Sequence, residues 1–230
     1  MSERLARWLS PEQIDRNFAE ISPALTPAEA RLESDRCLYC YDAPCTRACP
    51  THIDVPAFIK KIASGNLLGS ARVIFDANPI GASCARVCPT AALCEGACVE
   101  NALSHQPIQI GRLQRYATDY AVQTRRDLFS PGSPSGHSVG IVGAGPAGIS
   151  CAVYLARLGH AVTIYDRRPL PGGLDTYGMA EYKMTQRVSL DETAMAERLG
   201  VIFRLNTEIG RDISVAELEA AHDALFLAMG

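Results

Sequence analysis

Two blocks of cysteines are the residues of this chain whose type and spacing could do chemistry. The first block comprises Cys37, Cys40, Cys45 and Cys49, and the second comprises Cys84, Cys88, Cys94 and Cys98. Together they hold eight of the nine cysteines in 230 residues. Thiolates two or three residues apart can bind one metal centre from a tight loop or a helical turn, and zinc and iron–sulfur clusters both accept such ligands.

The spacing of these cysteines favours iron–sulfur clusters over zinc. Structural zinc sites usually present paired Cys-x2-Cys knuckles, whereas this chain has one Cys-x2-Cys pair and three Cys-x3-Cys pairs. A proline follows Cys49 and Cys88, as in the cysteine run of bacterial ferredoxins, whose last cysteine can ligate the other cluster. The pattern predicts two [4Fe–4S] clusters, and spacing alone assigns Cys84 to the second. Zinc is the alternative.

A second kind of chemistry lies in the segment Gly143–Gly148, which has the sequence GAGPAG. It follows a predicted strand, opens a predicted helix, and is followed by Asp166 at the end of the next strand. This is the context that a dinucleotide site requires. Gly143 permits the tight turn, Gly145 lets the backbone approach a pyrophosphate, and Gly148 lets helix and strand pack closely. The helix N-terminus stabilises phosphate charge, and Asp166 would accept hydrogen bonds from ribose hydroxyls.

Helical signals surround the cysteine blocks. Thr26, Pro27 and Glu29 form a capping box that starts a helix leading into Cys37. Apolar periodicity predicts further helices at 55–66, 67–78 and 108–123. In the last of these helices, Gln114 lies beside the apolar face. The cysteine blocks themselves are predicted as loops at 37–50 and 81–98, with a helical turn at 89–93 in the second loop.

The segment 130–136 is rich in proline, glycine and serine, and this composition predicts a linker. Residues 1–130 are predicted as an α-helical, ferredoxin-like domain, 131–136 as the linker, and 137–230 as a Rossmann-type α/β domain. Strands are expected at 139–142, 161–165, 201–206 and 224–230, the last of them buried. Because helices alternate with these strands, the sheet is expected to be parallel.

Composition excludes other classes of partner. The net charge is −3, from 25 acidic and 22 basic residues, so the charge gives no reason to expect binding to nucleic acid or to an anionic membrane. No stretch approaches the roughly 20 apolar residues that span a bilayer, and the N-terminus has no secretory apolar run. We therefore expect a cytoplasmic protein whose thiols stay reduced.

Three stretches carry a specific resemblance: CLYCYDAPCTRACP, GASCARVCPTAALCEGAC and IQIGRLQRYATDY. Together they resemble the N-terminal iron–sulfur domain shared by dihydropyrimidine dehydrogenase and the small subunit of NADPH-dependent glutamate synthase. The resemblance covers about residues 30–125 and implies two [4Fe–4S] clusters with interleaved ligands. One cluster would take Cys37, Cys40, Cys45 and Cys98. The other would take Cys49, Cys88, Cys94 and, as a non-cysteine ligand, Gln114.

This ligand set leaves Cys84 as a non-ligand thiol, contrary to the assignment from spacing. Gln114 also distinguishes between branches of the family, because the glutamate synthase branch typically has an acidic residue there. The stretches IGRLQRY and GAGPAGISCAVYLARLG resemble the dihydropyrimidine dehydrogenase branch.

A glycine pair, Gly172-Gly173, follows the second predicted strand. Such a pair is typical of two-dinucleotide flavoproteins, where it lies against the FAD, so the resemblance implies FAD as the dinucleotide. The family's prolines around Lys183 are absent here. The implied cofactor-binding residues are Gly143, Ala144, Gly145, Pro146, Ala147, Gly148, Asp166, Arg167, Gly172, Gly173, Leu174, Lys183 and Ile209.

The resemblance implies an electron-transfer oxidoreductase subunit. NAD(P)H would reduce FAD, and electrons would pass singly through the two clusters to a catalytic partner, with pyrimidine reduction favoured. A glutamate synthase small subunit is the alternative within this class. In this family an NAD(P)H domain interrupts the FAD domain, so the resemblance implies that residues 137–230 are the first half of the FAD domain. The chain has no second GxGxxG, so the NAD(P)H domain is expected to be absent and the chain alone to be incompetent. A non-catalytic iron–sulfur carrier or docking module is therefore the alternative from another class.

Overall fold

A computed structural model describes residues 9–230. The first half of this range is built from helices that are joined by the cysteine-bearing turns. The helices are α1 Pro11–Asn17, α2 Pro27–Asp35, α3 Pro44–Ala48, α4 Val55–Ala63, α5 Leu67–Ala77, α6 Gly81–Val87, α7 Val99–Leu103 and α8 Ile110–Thr124, with a 3₁₀ turn at Thr90–Ala92.

The N-terminal ends of these helices follow from the capping signals. Thr26 accepts a hydrogen bond from the Glu29 amide, and the Glu29 carboxylate accepts one from the Thr26 amide at 2.7 Å, so the predicted capping box of α2 is confirmed. Ser10 caps α1 in the same way, with Gln13 as its reciprocal partner. Such boxes satisfy amides that the helix leaves without internal partners.

The core of the helical half lies between α4, α5 and α8. Phe58 and Ile59 of α4, Ile74 of α5 and Leu113 of α8 are fully buried. Their spacing is that of a helix with one apolar face, so the prediction of these three helices is confirmed. Tyr120 of α8 is 39% exposed, so the buried face of this helix does not include it.

Helix α6 corrects the expectation that residues 81–98 form a loop. Seven residues of this segment, Gly81–Val87, are helical. The residue before them, Ile80, provides no side-chain cap, and the helix is too short for apolar periodicity to be visible. A helix this short depends on tertiary contacts for its stability, and α6 packs against α8.

The second half alternates strands and helices. Its elements are β1 Ser138–Val142, α9 Pro146–Arg157, β2 Ala161–Tyr165, α10 Leu174–Tyr177, α11 Gln186–Arg198, β3 Ile202–Arg204, α12 Val215–Ala221 and β4 Ala224–Leu227. The four strands are parallel in the order β3-β2-β1-β4. Val139 of β1 lies between Val162 and Ala224 in the register. The predicted parallel sheet is therefore confirmed, and all four strands point their carboxyl ends to one edge.

Strand β4 is not buried, contrary to expectation. Phe226 is 39% exposed and Leu227 is 63% exposed. The strand pairs only with β1 and lies at the edge of the sheet. An apolar run of this length predicts a strand but does not distinguish a central strand from an edge strand, which explains the error.

The predicted linker lies against the end of α9. The amides of Gly132 and Ser135 donate to the carbonyls of Ala156 and Gly159 at 3.1 and 2.9 Å. A Cβ on Gly132 would collide with the end of this helix. The segment therefore follows a defined path between the two halves.

A third cluster of buried side chains joins the helical half to the sheet half. Phe75 of α5 and Ala82 of α6 lie in it, with Val188 and Met195 of α11 packed against them. Beside it, the Tyr154 hydroxyl of α9 donates to the Asp76 carbonyl at 2.7 Å. The two halves thus share an apolar junction.

Within residues 9–230, no helix has both the length and the apolar character needed to cross a membrane.

We expect Phe75→Ala to lower the free energy of unfolding by about 3–5 kcal/mol, because it removes a fully buried ring and leaves a cavity at the junction. Anaerobic denaturant unfolding measures this change. Phe18→Ala is the control, since Phe18 is 51% exposed and surface changes cost about 0.5 kcal/mol or less. Equal losses in the two variants would contradict the assignment of Phe75 to a core.

Candidate cofactor sites

The first cysteine group gathers residues from both blocks. Cys37, Cys40, Cys45 and Cys98 line one open cavity with an empty volume of about 380 Å³. The pKa of Cys45 is raised to about 11, mainly by burial and in part by the charges of Cys37 and Cys98. These four thiols are therefore neighbours, although 52 residues lie between Cys45 and Cys98 in the sequence.

Apolar side chains form the rest of this cavity. Val55 and Ile59 of α4 and Ile108 and Ile110 near the start of α8 contribute to its wall, and all four are buried. They keep bulk water away from one side of the thiols. A site with this lining favours a cofactor that is held by sulfur and surrounded by hydrocarbon.

The turn that carries the first group has unusual backbone. Tyr39 and Ala43 have φ values of 52° and 34°, a region that costs an L-residue about 1–2 kcal/mol. Cys37, Cys40 and Cys45 lie on either side of these positions. Strain of this kind persists only where surrounding structure imposes it, and it is common at ligand sites.

The second cysteine group also draws on both blocks. The pKa values of Cys84 and Cys94 are raised to about 12, mainly by burial and in part by the charges of Cys49 and Cys88. Cys49 belongs to the first block in the sequence but lies with the second block in space. The structure therefore brings together the two interleaved sets that the family resemblance implies, with Cys84 beside the second set.

Gln114 lies at the second group. Its side chain is 6% exposed, and it lowers the pKa of the Cys84 thiol through a hydrogen bond. Its amide nitrogen donates to the Gly81 carbonyl at 2.8 Å. This bond occupies the nitrogen and leaves the carboxamide oxygen as the atom with lone pairs for a metal ion. The atoms that could bind a metal at this site are therefore the cysteine sulfurs and the carboxamide oxygen of Gln114.

The arrangement does not fit a single zinc ion. Among residues 9–230, no three His, Cys, Asp or Glu side chains are arranged to hold one metal ion. A structural zinc site needs four ligands within about 2.3 Å of one centre. The thiols of the first group instead line a shared cavity, and the donor chemistry of both groups fits iron–sulfur clusters.

The glycine turn lies between β1 and α9 as predicted. Gly143 has a φ of +110°, which favours glycine. A Cβ on Gly148 would collide with the Gly143 carbonyl oxygen. At Gly145, in contrast, the only atom of residues 9–230 within 4 Å of an added Cβ, apart from the two chain neighbours, is the Cα of Gly173, at 3.9 Å. Gly143 and Gly148 are therefore needed for the turn itself, whereas Gly145 faces open space.

Asp166 fixes the shape of this turn. Its carboxylate accepts hydrogen bonds from the amides of Ala144 and Arg168, both at 2.8 Å. Sequence reasoning expected only a role toward ribose hydroxyls. Each carboxylate oxygen keeps a second lone pair, so a bound ribose could still be recognised.

The glycine pair closes over the turn. The Gly172 amide donates to the Ala144 carbonyl at 2.7 Å, and a Cβ on Gly173 would lie 2.7 Å from the Gly145 Cα. Both glycines have positive φ. Two glycine segments thus form a narrow cradle at the N-terminus of α9, where backbone amides and the helix end favour a phosphate.

Known proteins match both halves of the chain. Residues 14–126 match the family model described as dihydropyrimidine dehydrogenase domain II, 4Fe-4S cluster. Residues 141–182 match the family model described as NAD(P)-binding Rossmann-like domain. The NAD-dependent dihydropyrimidine dehydrogenase subunit PreT of Salmonella typhimurium strain LT2 is 42% identical over 92% of this chain and 51% of its own length. The chain belongs to the family of these dehydrogenase subunits and the glutamate synthase small chains.

Two further relatives from Escherichia coli K12 indicate the breadth of this dehydrogenase and synthase family. The putative oxidoreductase UacF is 38% identical over the whole of this chain and 36% of its own length. The glutamate synthase [NADPH] small chain is 36% identical over 93% of this chain and 45% of its own length. The chain therefore spans about half the length of the curated relatives that it matches.

The remaining positions implied for the cofactor lie farther along the sheet edge. The loop that leads to Ile209 is tied to the strand end, because the Thr207 amide donates to the Asp166 carbonyl at 2.9 Å. Arg167 is exposed, and Leu174 is 65% exposed at the start of α10. Lys183 is exposed, and no hydrogen bond within residues 9–230 joins it to the glycine turn. Its role as a contact remains a prediction.

Sequence reasoning missed a buried polar group beside the second cysteine group. Glu192 of α11 and Asp175 of α10 are 2% and 8% exposed, and both contact Ser83 of α6. The available signal was weak: Glu192 occupies the same helical face as Ala196, at the spacing that buries a residue. Nothing local in the sequence indicates that its partner lies 109 residues away.

We expect Gly145→Ala to fold normally and to lose dinucleotide binding by at least about tenfold. Apart from its chain neighbours, the added methyl meets no atom of residues 9–230 closer than 3.9 Å, but it occupies the space by which a pyrophosphate approaches the backbone. Bound nucleotide is measured by heat extraction, and folding by the unfolding midpoint. Gly148→Ala is the comparison, because its methyl would collide with the Gly143 carbonyl and should lower the midpoint as well. Full nucleotide content in Gly145→Ala would contradict this site.

Proposed function

We propose that this chain is the iron–sulfur and flavin portion of an electron-transfer oxidoreductase, with residues 1–130 as the cluster domain and 137–230 as part of the FAD domain. The observation that carries the proposal is the sharing of one cavity by Cys37, Cys40, Cys45 and Cys98. The match of residues 14–126 to a 4Fe-4S family model supports it.

The proposed ligands follow the two spatial groups. Cys37, Cys40, Cys45 and Cys98 would hold one [4Fe–4S] cluster. The second would be held by Cys49, Cys88, Cys94 and Gln114, with Cys84 as a neighbouring thiol. The hydrogen bond from Gln114 to the Gly81 carbonyl supports this choice, because an oriented second-shell contact fixes a ligand.

FAD is proposed for the glycine cradle. The match to a Rossmann-like domain supports a dinucleotide of the NAD(P) or FAD kind, and the glycine pair Gly172-Gly173 against Gly145 favours FAD. The amides at the start of α9 would stabilise the pyrophosphate, and Asp166 would accept from the ribose. The other proposed contacts are Ala144, Pro146, Ala147, Arg167, Leu174, Lys183 and Ile209.

When bound, FAD accepts a hydride and returns its electrons singly, and each [4Fe–4S] cluster carries one electron. The chain's own residues hold and tune these groups. Val55, Ile59 and Ile110 exclude water from one wall of the first site, and exclusion of water is one factor that sets a cluster's potential. Gln114 places a neutral oxygen where a thiolate would add negative charge.

The proposed acceptor is a catalytic partner that reduces a pyrimidine. Two observations favour it: the relative named as a dihydropyrimidine dehydrogenase subunit, and the glutamine at position 114, where the glutamate synthase branch has an acid. A glutamate synthase type of partner is the second choice, supported by the small-chain relative. We infer a cytoplasmic location, since all nine cysteines are free thiols.

A second candidate function is a carrier that does not itself accept hydride. The GxGxxG segment of residues 143–148 is already assigned here to FAD. In this case the chain would hold clusters and flavin but would have no site for a hydride donor. The two functions differ in one observable, which is reduction of the flavin by NADH or NADPH.

The ligand assignment predicts unequal effects of two cysteine substitutions. We expect Cys94→Ser to reduce the iron of anaerobically purified protein from about eight to about four atoms per chain, because it removes a ligand of one of two four-iron clusters. Cys84→Ser should retain about eight. Iron and sulfide analyses measure both. Loss of iron in Cys84→Ser with retention in Cys94→Ser would refute the assignment, and Cys151→Ser is the control outside both groups.

We call the proposed passage of electrons from the flavin to the two clusters the relay. We expect heat extraction to release FAD, and anaerobic photoreduction of the bound flavin to produce the EPR signal of reduced [4Fe–4S] clusters. Protein with the Gly145→Ala change, which should lack the flavin, is the control. Reduced flavin beside clusters that stay oxidised would exclude the relay. Addition of NADH or NADPH instead of light then separates the oxidoreductase, which bleaches, from the carrier, which does not.

A further inference from the structure

Helix α6 is capped by a residue from the other half of the protein. The Glu192 carboxylate accepts hydrogen bonds from the amides of Ala82 and Ser83, at 2.6 and 3.1 Å, and from the Ser83 hydroxyl. Ile80, the residue before the helix, provides no side-chain cap of its own. Two of the amides that a helix start leaves unpaired are therefore satisfied from α11.

The same helix carries part of the second cysteine group. Cys84 lies within α6, and Cys88 immediately follows its last residue. The first turn is held from two directions, because Gln114 binds the Gly81 carbonyl while Glu192 binds the next two amides. The position of Cys88 thus depends on a carboxylate of the sheet half.

Asp175 extends this contact to the glycine cradle. It contacts Ser83 and is 8% exposed, and it lies two residues after Gly173. The neighbouring Thr176 hydroxyl bonds to Ser189 of α11 at 2.8 Å. A short path of buried polar contacts therefore leads from the cradle through Asp175 and Ser83 to the helix that carries Cys88.

No cation offsets these two carboxyls. Among residues 9–230, neither Glu192 nor Asp175 forms a salt bridge. Burial raises the pKa of Glu192 to about 7, and the charge of Asp175 contributes in the same direction. Burial also raises the pKa of Asp175. The groups that face Glu192 are Asp175 from α10 and the Ser83 hydroxyl from α6.

We propose that Glu192 is a positioning residue for the second metal site: it holds α6, and with it Cys88, and its charge lowers the site's potential. This inference rests on the proposed function. If one electron entered the site while Glu192 is ionised, one proton from solvent would bind the Glu192 carboxylate, no bond in the protein would break, and the net charge of the junction would stay constant. By linkage, protonation of Glu192 favours reduction of the site to the same extent.

Three variants separate charge from position. Glu192→Gln removes the charge and keeps an oxygen for the Ala82 and Ser83 amides. Glu192→Ala removes both, and Glu197→Gln is the control, because Glu197 is exposed on the same helix. Each is purified anaerobically with its iron, and the second site's midpoint potential is measured by EPR titration between pH 6 and pH 8.5.

We expect the wild-type potential to fall as pH rises through about 7, since the Glu192 carboxyl becomes anionic there. In Glu192→Gln the potential should stay at the wild-type low-pH value across the range, with iron content unchanged. Hydrogen exchange at Ala82 and Ser83 should accelerate at least about tenfold in Glu192→Ala and return toward wild type in Glu192→Gln. A Glu192→Gln potential that follows Glu197→Gln at every pH would overturn the inference.

The exchange measurement also separates this inference from the proposed function. If wild-type protein holds no iron, the proposed function fails, and exchange in the metal-free protein still decides the positioning role. Slow exchange in Glu192→Ala would then overturn that role, whereas fast exchange that is rescued by Glu192→Gln would support it.

Discussion

The two thiol groups depend on the apolar packing of α4 and α5 against α8. Phe58, Ile74 and Leu113 are fully buried in this packing, and the α4–α5 pair is the segment that separates the two cysteine blocks in the sequence. By folding back on itself, this segment returns the chain so that Cys98 lies near Cys45 and Cys49 lies near Cys88. Burial of hydrocarbon, rather than any attraction between thiols, therefore creates both sites.

The glycine cradle likewise depends on packing between distant segments, in this case on the pairing of two strands. The parallel register of β1 and β2 sets the carboxyl ends of both strands at one edge, which brings Asp166 to the Ala144 amide. The cradle and the second thiol group then meet through α11, since Glu192 lies on that helix and bonds to α6. The proposed path of electrons thus crosses the same junction that holds the two halves together.

Features encoded locally could be predicted from the sequence, and features made by distant contacts could not. The capping box at Thr26 and Glu29 and the turn at Gly143 depend on residues a few positions apart. The interleaving of the cysteines followed only from a family resemblance, because spacing alone kept each block together. Helix α6 was missed because its cap, Glu192, lies far along the chain. The burial of β4 was predicted wrongly because an apolar run does not show whether a strand lies at the edge or in the centre of a sheet.

The most direct test of the account is anomalous X-ray scattering at the iron edge from crystals of anaerobically purified protein. The account predicts two four-iron centres in each chain. One should lie among Cys37, Cys40, Cys45 and Cys98, and the other among Cys49, Cys88, Cys94 and Gln114. A centre bound by all four cysteines of a single block, or a lone zinc ion in either group, would contradict it.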